Sequence, residues 1–398
     1  MARLILGIAV IFGLALIFSK NRRTIKIRYI IQILIVEFII AYFLLHSQTG
    51  VNIVLGVSDS FNLLLKYAAD GTNFVFGGLL NKDASFDFFL NILTPIVFIS
   101  ALIGILQYIK VLPLIIKTIG WVLSKINGMG ELESFNAVSA LIVGQQENFL
   151  TYKNSIKYMS DNRTFTLAAT AMSTVSAAIL GSYMKIIEPK YVVIAIILNV
   201  FSTFIILSLI NPYDYKAERS ISEIEKESKE DHGSFFEMLS DYILTGFKVA
   251  VIIGAMLIGF IALISMINAI FTSIFGISFQ GVLGYLFYPI AWIVGVPADQ
   301  ALKAGTLMAT KIVTNEFVAM IELTKNTQAW HLTPKTVGIV SIFLVSFANF
   351  SSIAIIIGAV QSLNAEKGKI VAKFGVKILY SAVLVSLLSA TIAGCFIS

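Results

Sequence analysis

Apolar runs of bilayer-crossing length dominate this chain, and they leave few folds open to it. Eight of them, bounded by charge and turn residues, lie at roughly 4–19, 29–46, 88–109, 164–187, 191–210, 248–272, 337–360 and 375–397. About 20 helical residues cross a hydrocarbon core about 30 Å thick. With 57% hydrophobic and only 13% charged residues, the chain reads as an all-α polytopic membrane protein in a lipid bilayer. The net charge of +6 sits between the apolar runs rather than on one soluble face, which points to topology rather than to nucleic acid. The lone Cys395 excludes an intramolecular disulfide framework and a thiolate metal cluster. His46, His232 and His331 are far apart and away from the polar motifs described below, so no metalloenzyme and no cofactor is expected. Only Arg3 precedes the first run, no small-residue cleavage pattern follows it, and the strongly basic segment comes after it; an uncleaved first span is expected.

The positive-inside rule orients the spans. Lys20, Arg22, Arg23, Lys26 and Arg28 place the first loop in the cytoplasm, so both termini are expected outside, with 212–235 and 362–373 (Lys367, Lys369, Lys373) inside. Lys185 and Lys190 then fall on the outer side as exceptions. The charged tract 213–235 reads as a solvated cytoplasmic linker. Three apolar stretches fail as spans and read as interfacial. They are 58–80, with Phe61, Leu64, Leu65 and Ala68 on one face; 112–126, with Lys117 and Lys125 interleaved; and 279–296, bounded by Pro289 and Pro297.

Two acidic motifs interrupt otherwise apolar sequence: Gly144-Gln145-Gln146-Glu147-Asn148 and Asn315-Glu316-Phe317-Val318-Ala319. A charged residue at the centre of a membrane helix costs at least about 2.5–3.5 kcal/mol. The arm Phe135–Val143 before the first motif reaches only half the core, and Lys153 and Lys157 after it belong at the surface where the arm began. Segment 131–158 therefore dives in and returns, and 300–327 repeats the design from the other face. The order span, interfacial helix, hairpin, broken span, span occurs twice, with an odd number of crossings between. That is an inverted-topology repeat, which puts a solute site where the broken helices meet. The expected divisions are 1–87 (N-terminal scaffold), 88–211 (first repeat), 212–235 (charged linker) and 236–398 (second repeat).

Amides offer donors and acceptors, and a carboxylate offers acceptors only. Gln145, Gln146, Glu147 and Asn148 at a hairpin tip suit a neutral, hydrogen-bond-rich solute such as a nucleobase. A dicarboxylate would be repelled, and no Arg lies near either motif to clamp an acid. The polar breaks are Ser173-Thr174-Val175-Ser176 and Phe347-Ala348-Asn349-Phe350-Ser351-Ser352. Blander readings stand beside these. The hydroxyls of the first break can bond back to their own turn, Asn349 can bridge helices, and both carboxylates can be structural, Glu316 paired with Lys311 for instance. Phe317, Phe347 and Phe350 can be membrane core or can stack a planar base. Glu37 and Lys248 read as span-end residues serving topology or packing.

At these residues the chain resembles the concentrative nucleoside transporters, and among them the bacterial nucleoside permease branch. Gly144-Gln145-Gln146-Glu147 is similar to the family's Gly-Gln-Thr/Ser-Glu, and Lys311 to Ala319 to its Lys-x-x-x-Asn-Glu-Phe-Val-Ala; Ser346 to Ser352, Asn127-Gly128-Met129-Gly130 and Ile210-Asn211-Pro212-Tyr213 match as well. The resemblance implies a homotrimer in the bacterial cytoplasmic (inner) membrane, with a transport domain moving like an elevator against a scaffold. It implies that Gln145, Gln146, Glu147 and Ile179 face the nucleobase. It gives Glu316, Asn349 and Ser352 to the ribose hydroxyls, with Phe347 walling the pocket. The chain departs from the family at Ala140, where sodium-coupled members carry an Asn; only Thr174 and the carbonyls of Val143 and Val175 remain for a cation. Loss of one hard oxygen ligand favours protons over sodium as the coupling ion, with Glu316 as candidate carrier because burial disfavours a charged carboxyl. Gln146 replaces the usual small hydroxyl residue, which bears on base selectivity.

The expected function is secondary active import of a nucleoside such as uridine. Sodium coupling, or another polar solute on the same carrier fold, are the nearest alternatives. A channel needs a repeated filter sequence, and an enzyme needs a nucleophile with a base or a metal cluster beside the motifs; the sequence offers neither.

Overall fold

The computed structural model describes residues 2–76, 88–145, 147–150, 156–218 and 234–397. All regular structure among them is helical. Helix α1 (Ala2–Ile17), α2 (Ile27–His46) and α3 (Gln48–Phe76) precede α4 (Pro95–Tyr108), which extends a π-helical turn at Phe89–Leu93. The first repeat continues with α5 (Val111–Asn127), α6 (Glu131–Ile142), α7 (Glu147–Leu150), α8 (Asp161–Ser173), α9 (Ala177–Met184) and α10 (Pro189–Ile210). The second holds α11 (Phe235–Phe275), α12 (Phe279–Ile293), α13 (Ala298–Val313), α14 (Glu316–Asn326), α15 (Pro334–Leu344), α16 (Phe350–Leu363) and α17 (Ala365–Gly394).

All eight expected spans correspond to helices. Six regions are long and apolar enough to cross a membrane, including α8 with α9. The first run is the shorter α1, and 337–360 is divided between α15 and α16. The second hairpin forms from α13 and α14, and α12 meets α13 at 119°; of the first, α6 and the four-residue α7 after its tip are described, and residues 151–155 lie outside the described set. Helix α10 is apolar around its whole circumference and is almost entirely buried, so it is the core post. Helices α2, α8, α15 and α17 pack around it. Helix α11 packs chiefly on α4 and leaves Leu244, Val251, Ile258 and Ile274 exposed.

Several expectations require correction. The stretch 58–80 belongs, as far as Phe76, to one helix starting at Gln48, with Val54, Ser58, Leu65 and Ala68 on its buried face; residues 77–80 lie outside the described set. Leu65 rests against Gly181, where a Cβ would stand 3.0 Å from its methyl group, so α3 packs on the broken span. Helix α11 starts thirteen residues before the expected 248, and α17 starts ten before 375. Lys367, Lys369 and Lys373 are therefore helical. Asn349 and Asn364 cap the helices they precede, and Asn364 opens α17 by accepting from Lys367 N–H at 2.9 Å. The two lysines expected as exceptions both have partners: Lys190 pairs with Glu188 at 2.6 Å and Lys185 donates to the Asn91 carbonyl at 2.6 Å.

The start of the charged tract is docked rather than solvated. Asn211 donates to the Asn162 carbonyl (2.9 Å) and to Thr166 Oγ1 (3.0 Å). Glu133 at the base of α6 accepts from Arg163 Nε (2.7 Å) and from the Tyr213 hydroxyl (2.7 Å), and Glu218 approaches Arg163 at 3.7 Å. Burial, and then the neighbouring Glu133 carboxylate, hold the Tyr213 phenol well above the usual tyrosine range, so it stays a donor at alkaline pH. Residues 219–233 lie outside the described set. Asn127 fixes the preceding turn, donating to Ser134 Oγ (2.8 Å) and accepting from Met129 N–H (2.9 Å).

Arg163 and Glu133 are 2% and 1% exposed. Removing one partner leaves the other charge buried, which costs about 3–5 kcal/mol. Glu133→Ala is therefore expected to lower the thermal unfolding midpoint in detergent by many degrees, whereas the exposed Lys125→Ala should leave it unchanged.

Candidate functional site

Four half-helices end at depth. Each hairpin turns inside the protein, and each broken span opens at its polar break: Thr174–Ser176 between α8 and α9, and Val345–Asn349 between α15 and α16. The breaks touch directly, the N–H of Phe347 donating to the Thr174 carbonyl at 3.3 Å. Unpaired backbone groups cannot face lipid, so the crossing satisfies groups that the helices leave open.

Glu316 is the first residue of α14, immediately after its N-cap Asn315, whose Oδ1 accepts from Val318 N–H at 3.1 Å. Glu147 likewise opens α7. The Glu316 side chain is buried and spans the two repeats. Its Oε1 accepts from the Tyr183 hydroxyl of α9 (2.7 Å), and its Oε2 accepts from Asn349 Nδ2 (2.7 Å). Asn349 therefore does more than bridge: its Oδ1 also caps α16, accepting from Ser352 N–H (2.8 Å) and Ser351 Oγ (2.7 Å). The Tyr183 ring meets Phe317 edge-on at 5.0 Å. Ile179, one helical turn before Tyr183, is buried, as are Phe347 and Ser352.

Lys311 does not pair with Glu316. Its Nζ donates to the Phe343 carbonyl (2.6 Å), Ser346 Oγ (2.7 Å) and Ser386 Oγ (3.4 Å), which uses all three protons. The ammonium also lies 4.5 Å from the Phe343 ring centroid. It sits at the carbonyl end of α15, where a cation is favoured and a free carbonyl must be filled. Asn199 of α10 fills the next one, donating to Val345 at 2.6 Å. Sequence reasoning missed Tyr183 and Asn199. Two signals were available: Tyr183 lies four residues after Ile179 on one helical face, and Asn199 is a lone amide inside an apolar span.

At the first hairpin, Gly144 has φ +121°, which only glycine adopts without strain. Gln145 is buried, and its Oε1 has no partner. Asn148 donates to Asn136 Oδ1 at 2.6 Å, leaving its own Oδ1 unfilled. Two acceptors at this tip thus await donors among the described residues. Gln146 and the Glu147 side chain lie outside the described set. Helix α7 touches α16, so the first tip stands beside the second break.

Of the candidate cation positions, Ala140 is buried and carries no oxygen, and Val143 and Val175 offer only carbonyls. The Thr174 hydroxyl bonds back to the Thr170 carbonyl at 3.3 Å, as does Ser173 to Ala169 at 2.7 Å, so the back-bonded reading of the first break holds.

Lys311→Met keeps the volume and removes the ammonium, leaving the Phe343 carbonyl unfilled at about 1–3 kcal/mol. A lowered thermal midpoint is expected, measured beside Lys325→Met at an exposed position, which should change little.

Comparison with known proteins agrees with this geometry. Family models described as Na+ dependent nucleoside transporter C-terminus, Na+ dependent nucleoside transporter N-terminus and nucleoside recognition match residues 191–394, 6–79 and 89–190. The purine nucleoside transport protein NupG of Bacillus subtilis is 36% identical over 99% of this chain and 98% of its own. The nucleoside permease NupC of Helicobacter pylori is 30% identical over 99% and 97%. The structure of CNTnw in an inward-facing substrate-bound state superposes with a TM-score of 0.91 at 31% identity, covering 99% of this chain and 98% of that one. CNTnw variants in outward-facing and intermediate states superpose at 0.93. The chain belongs to the concentrative nucleoside transporter family, whose members carry nucleosides across membranes and are not enzymes.

Proposed function

We propose that this protein is a proton-coupled importer of nucleosides. The observation that carries this reading is Glu316, buried between repeats on two neutral donors while Lys311 is engaged elsewhere. Both carboxyl oxygens already accept hydrogen bonds, as an ionised group requires. The Tyr183 hydroxyl can also accept, so a proton arriving on Oε1 needs only a rotation of that O–H. The missing oxygen at Ala140 speaks against a sodium site of full ligand count.

In this reading a nucleoside displaces Tyr183 and Asn349 from Glu316, and its ribose hydroxyls take their place, with Ser352 alongside and Phe347 as a wall. The base lies toward Ile179 and the first hairpin, where the free acceptors of Gln145 and Asn148 receive its N–H donors. Gln146 and Glu147 complete that side. Uridine satisfies this pattern, as do purine nucleosides. The hairpins and broken spans carry the site between membrane faces by an elevator movement against a scaffold, which holds a homotrimer together through exposed faces such as that of α11. The basic first loop faces the cytoplasm of a bacterial inner membrane, with both termini outside. The residue ranges 1–87, 88–211, 212–235 and 236–398 act as scaffold start, first repeat, linker and second repeat.

Proteoliposome uptake of labelled uridine and inosine, with proton and sodium gradients imposed separately, tests the coupling. Accumulation is expected with an inward proton gradient in sodium-free buffer, and a requirement for sodium at constant pH contradicts it. Glu316→Gln is expected to fold normally and lose accumulation; retained accumulation removes Glu316 from the mechanism. Tyr183→Phe frees Oε1 of a hydrogen bond to a charged group worth about 1.5–3 kcal/mol. Nucleoside binding, measured by calorimetry, should then tighten by tenfold or more; weakened binding would show that Tyr183 holds the solute instead.

A further inference from the structure

Glu37 is no span-end residue. It is the eleventh of the twenty residues of α2 and is fully buried. Arg28 and His46 lie nine positions to either side, about 14 Å away along the axis. Its Oε1 accepts from Ser202 Oγ of α10 at 2.5 Å, and Ser389 Oγ of α17 donates to the same hydroxyl at 3.0 Å. Its Oε2 has no partner.

No cation among the described residues offsets a charge here. Helix α10 carries its lysine at Lys190, twelve positions before Ser202, and α17 carries Lys377 twelve positions before Ser389, each about 18 Å along its helix. On α17, Tyr380 donates to the Leu14 carbonyl (2.9 Å) and Cys395 Sγ contacts the Thr391 carbonyl (3.2 Å). Helix α3 meets α2 at Phe43 and Leu44, and the end of α5 meets it at Tyr29. The charged residues Asp59, Lys66 and Asp70 of α3 and Lys117 and Lys125 of α5 are exposed. An ionised carboxylate at mid-helix, with one neutral hydrogen bond and no counter-charge, would be held at a cost that membrane proteins accept only for function. Hydroxyls accept as well as donate, so Ser202 suits a carboxylic acid equally.

The same two helices hold the second break one turn away. Three residues before Ser202, Asn199 donates to the Val345 carbonyl (2.6 Å). Three residues before Ser389, Ser386 bonds Ser346 (2.7 Å) and accepts from Lys311 (3.4 Å). Positions three apart share a helix face. A polar track therefore joins Glu37 to the strand of backbone that carries Asn349.

We propose that Glu37 is a proton-binding site, a carboxyl held neutral where α2 meets α10 and α17, whose deprotonation loosens that contact and the second break with it. The inference depends on the transporter fold alone and holds whichever ion drives uptake.

Infrared difference spectra of wild type against Glu37→Gln test it directly. At neutral pH the difference is expected to contain a carboxylic acid C=O stretch that converts to carboxylate bands as pH rises, and Glu316→Gln should retain that band. Nucleoside exchange at equal pH on both sides gives the second readout. The wild-type rate should fall as pH rises and the proton is lost, by up to about tenfold per pH unit, and Glu37→Gln, permanently neutral, should lose the part of that fall that Glu316 does not impose. An acid band unchanged in Glu37→Gln, or an unchanged pH profile, overturns the proposal. Where Glu37→Gln does not fold, Ser202→Ala removes one hydrogen bond and is expected to shift the acid band; an unmoved band overturns it equally.

Discussion

Helices broken inside a membrane leave backbone groups that lipid cannot satisfy, and this structure depends on how those groups are filled. At the second break Lys311 takes the Phe343 carbonyl and Asn199 takes that of Val345, while Asn349 caps the helix that follows. At the first break the Thr174 carbonyl receives the Phe347 N–H. Each partner comes from a different element, so the break is held open by the packing of both repeats. Side chains near the breaks are then free to address a solute because the backbone is already paired.

This division of labour explains why one buried cation and one buried anion sit close in sequence without pairing. Lys311 and Glu316 are five positions apart, on opposite sides of the hairpin turn. The lysine stabilises a helix end, and the glutamate, opening its own helix, stays available between Tyr183 and Asn349. A direct ion pair would neutralise both and close the site. Neutral donors on Glu316 instead leave its partners exchangeable, which is what the proposed nucleoside and proton binding requires.

Much of this was legible in the sequence because lipid enforces few solutions. The apolar runs located the spans, and the short arm Phe135–Val143 with the returning lysines forced a re-entrant turn. The motif Asn315-Glu316 placed a carboxyl on that kind of turn. Other features were hidden for identifiable reasons. Helices α11 and α17 begin inside charged sequence, at Phe235 and Ala365, because Ser234 and Asn364 cap them, and hydropathy alone is blind to caps. Glu37 looked marginal until the helix bounds put it at the centre. Residues 212–218 read as linker by their charge, yet Glu133, paired with Arg163 and Tyr213, gives them a dock that lies eighty positions away in the chain. Long-range partners of that sort leave no local pattern.

Glu316 joins α9 to the second break, the two breaks touch, and the first hairpin tip stands beside them; binding of the solute at this junction is the central proposal. A structure of the protein with bound nucleoside measures this most directly. The account predicts ribose density within hydrogen-bonding distance of Glu316 and Asn349, with Tyr183 displaced and the base reaching Gln145. Nucleoside density elsewhere, with the Tyr183–Glu316 bond intact, would contradict it.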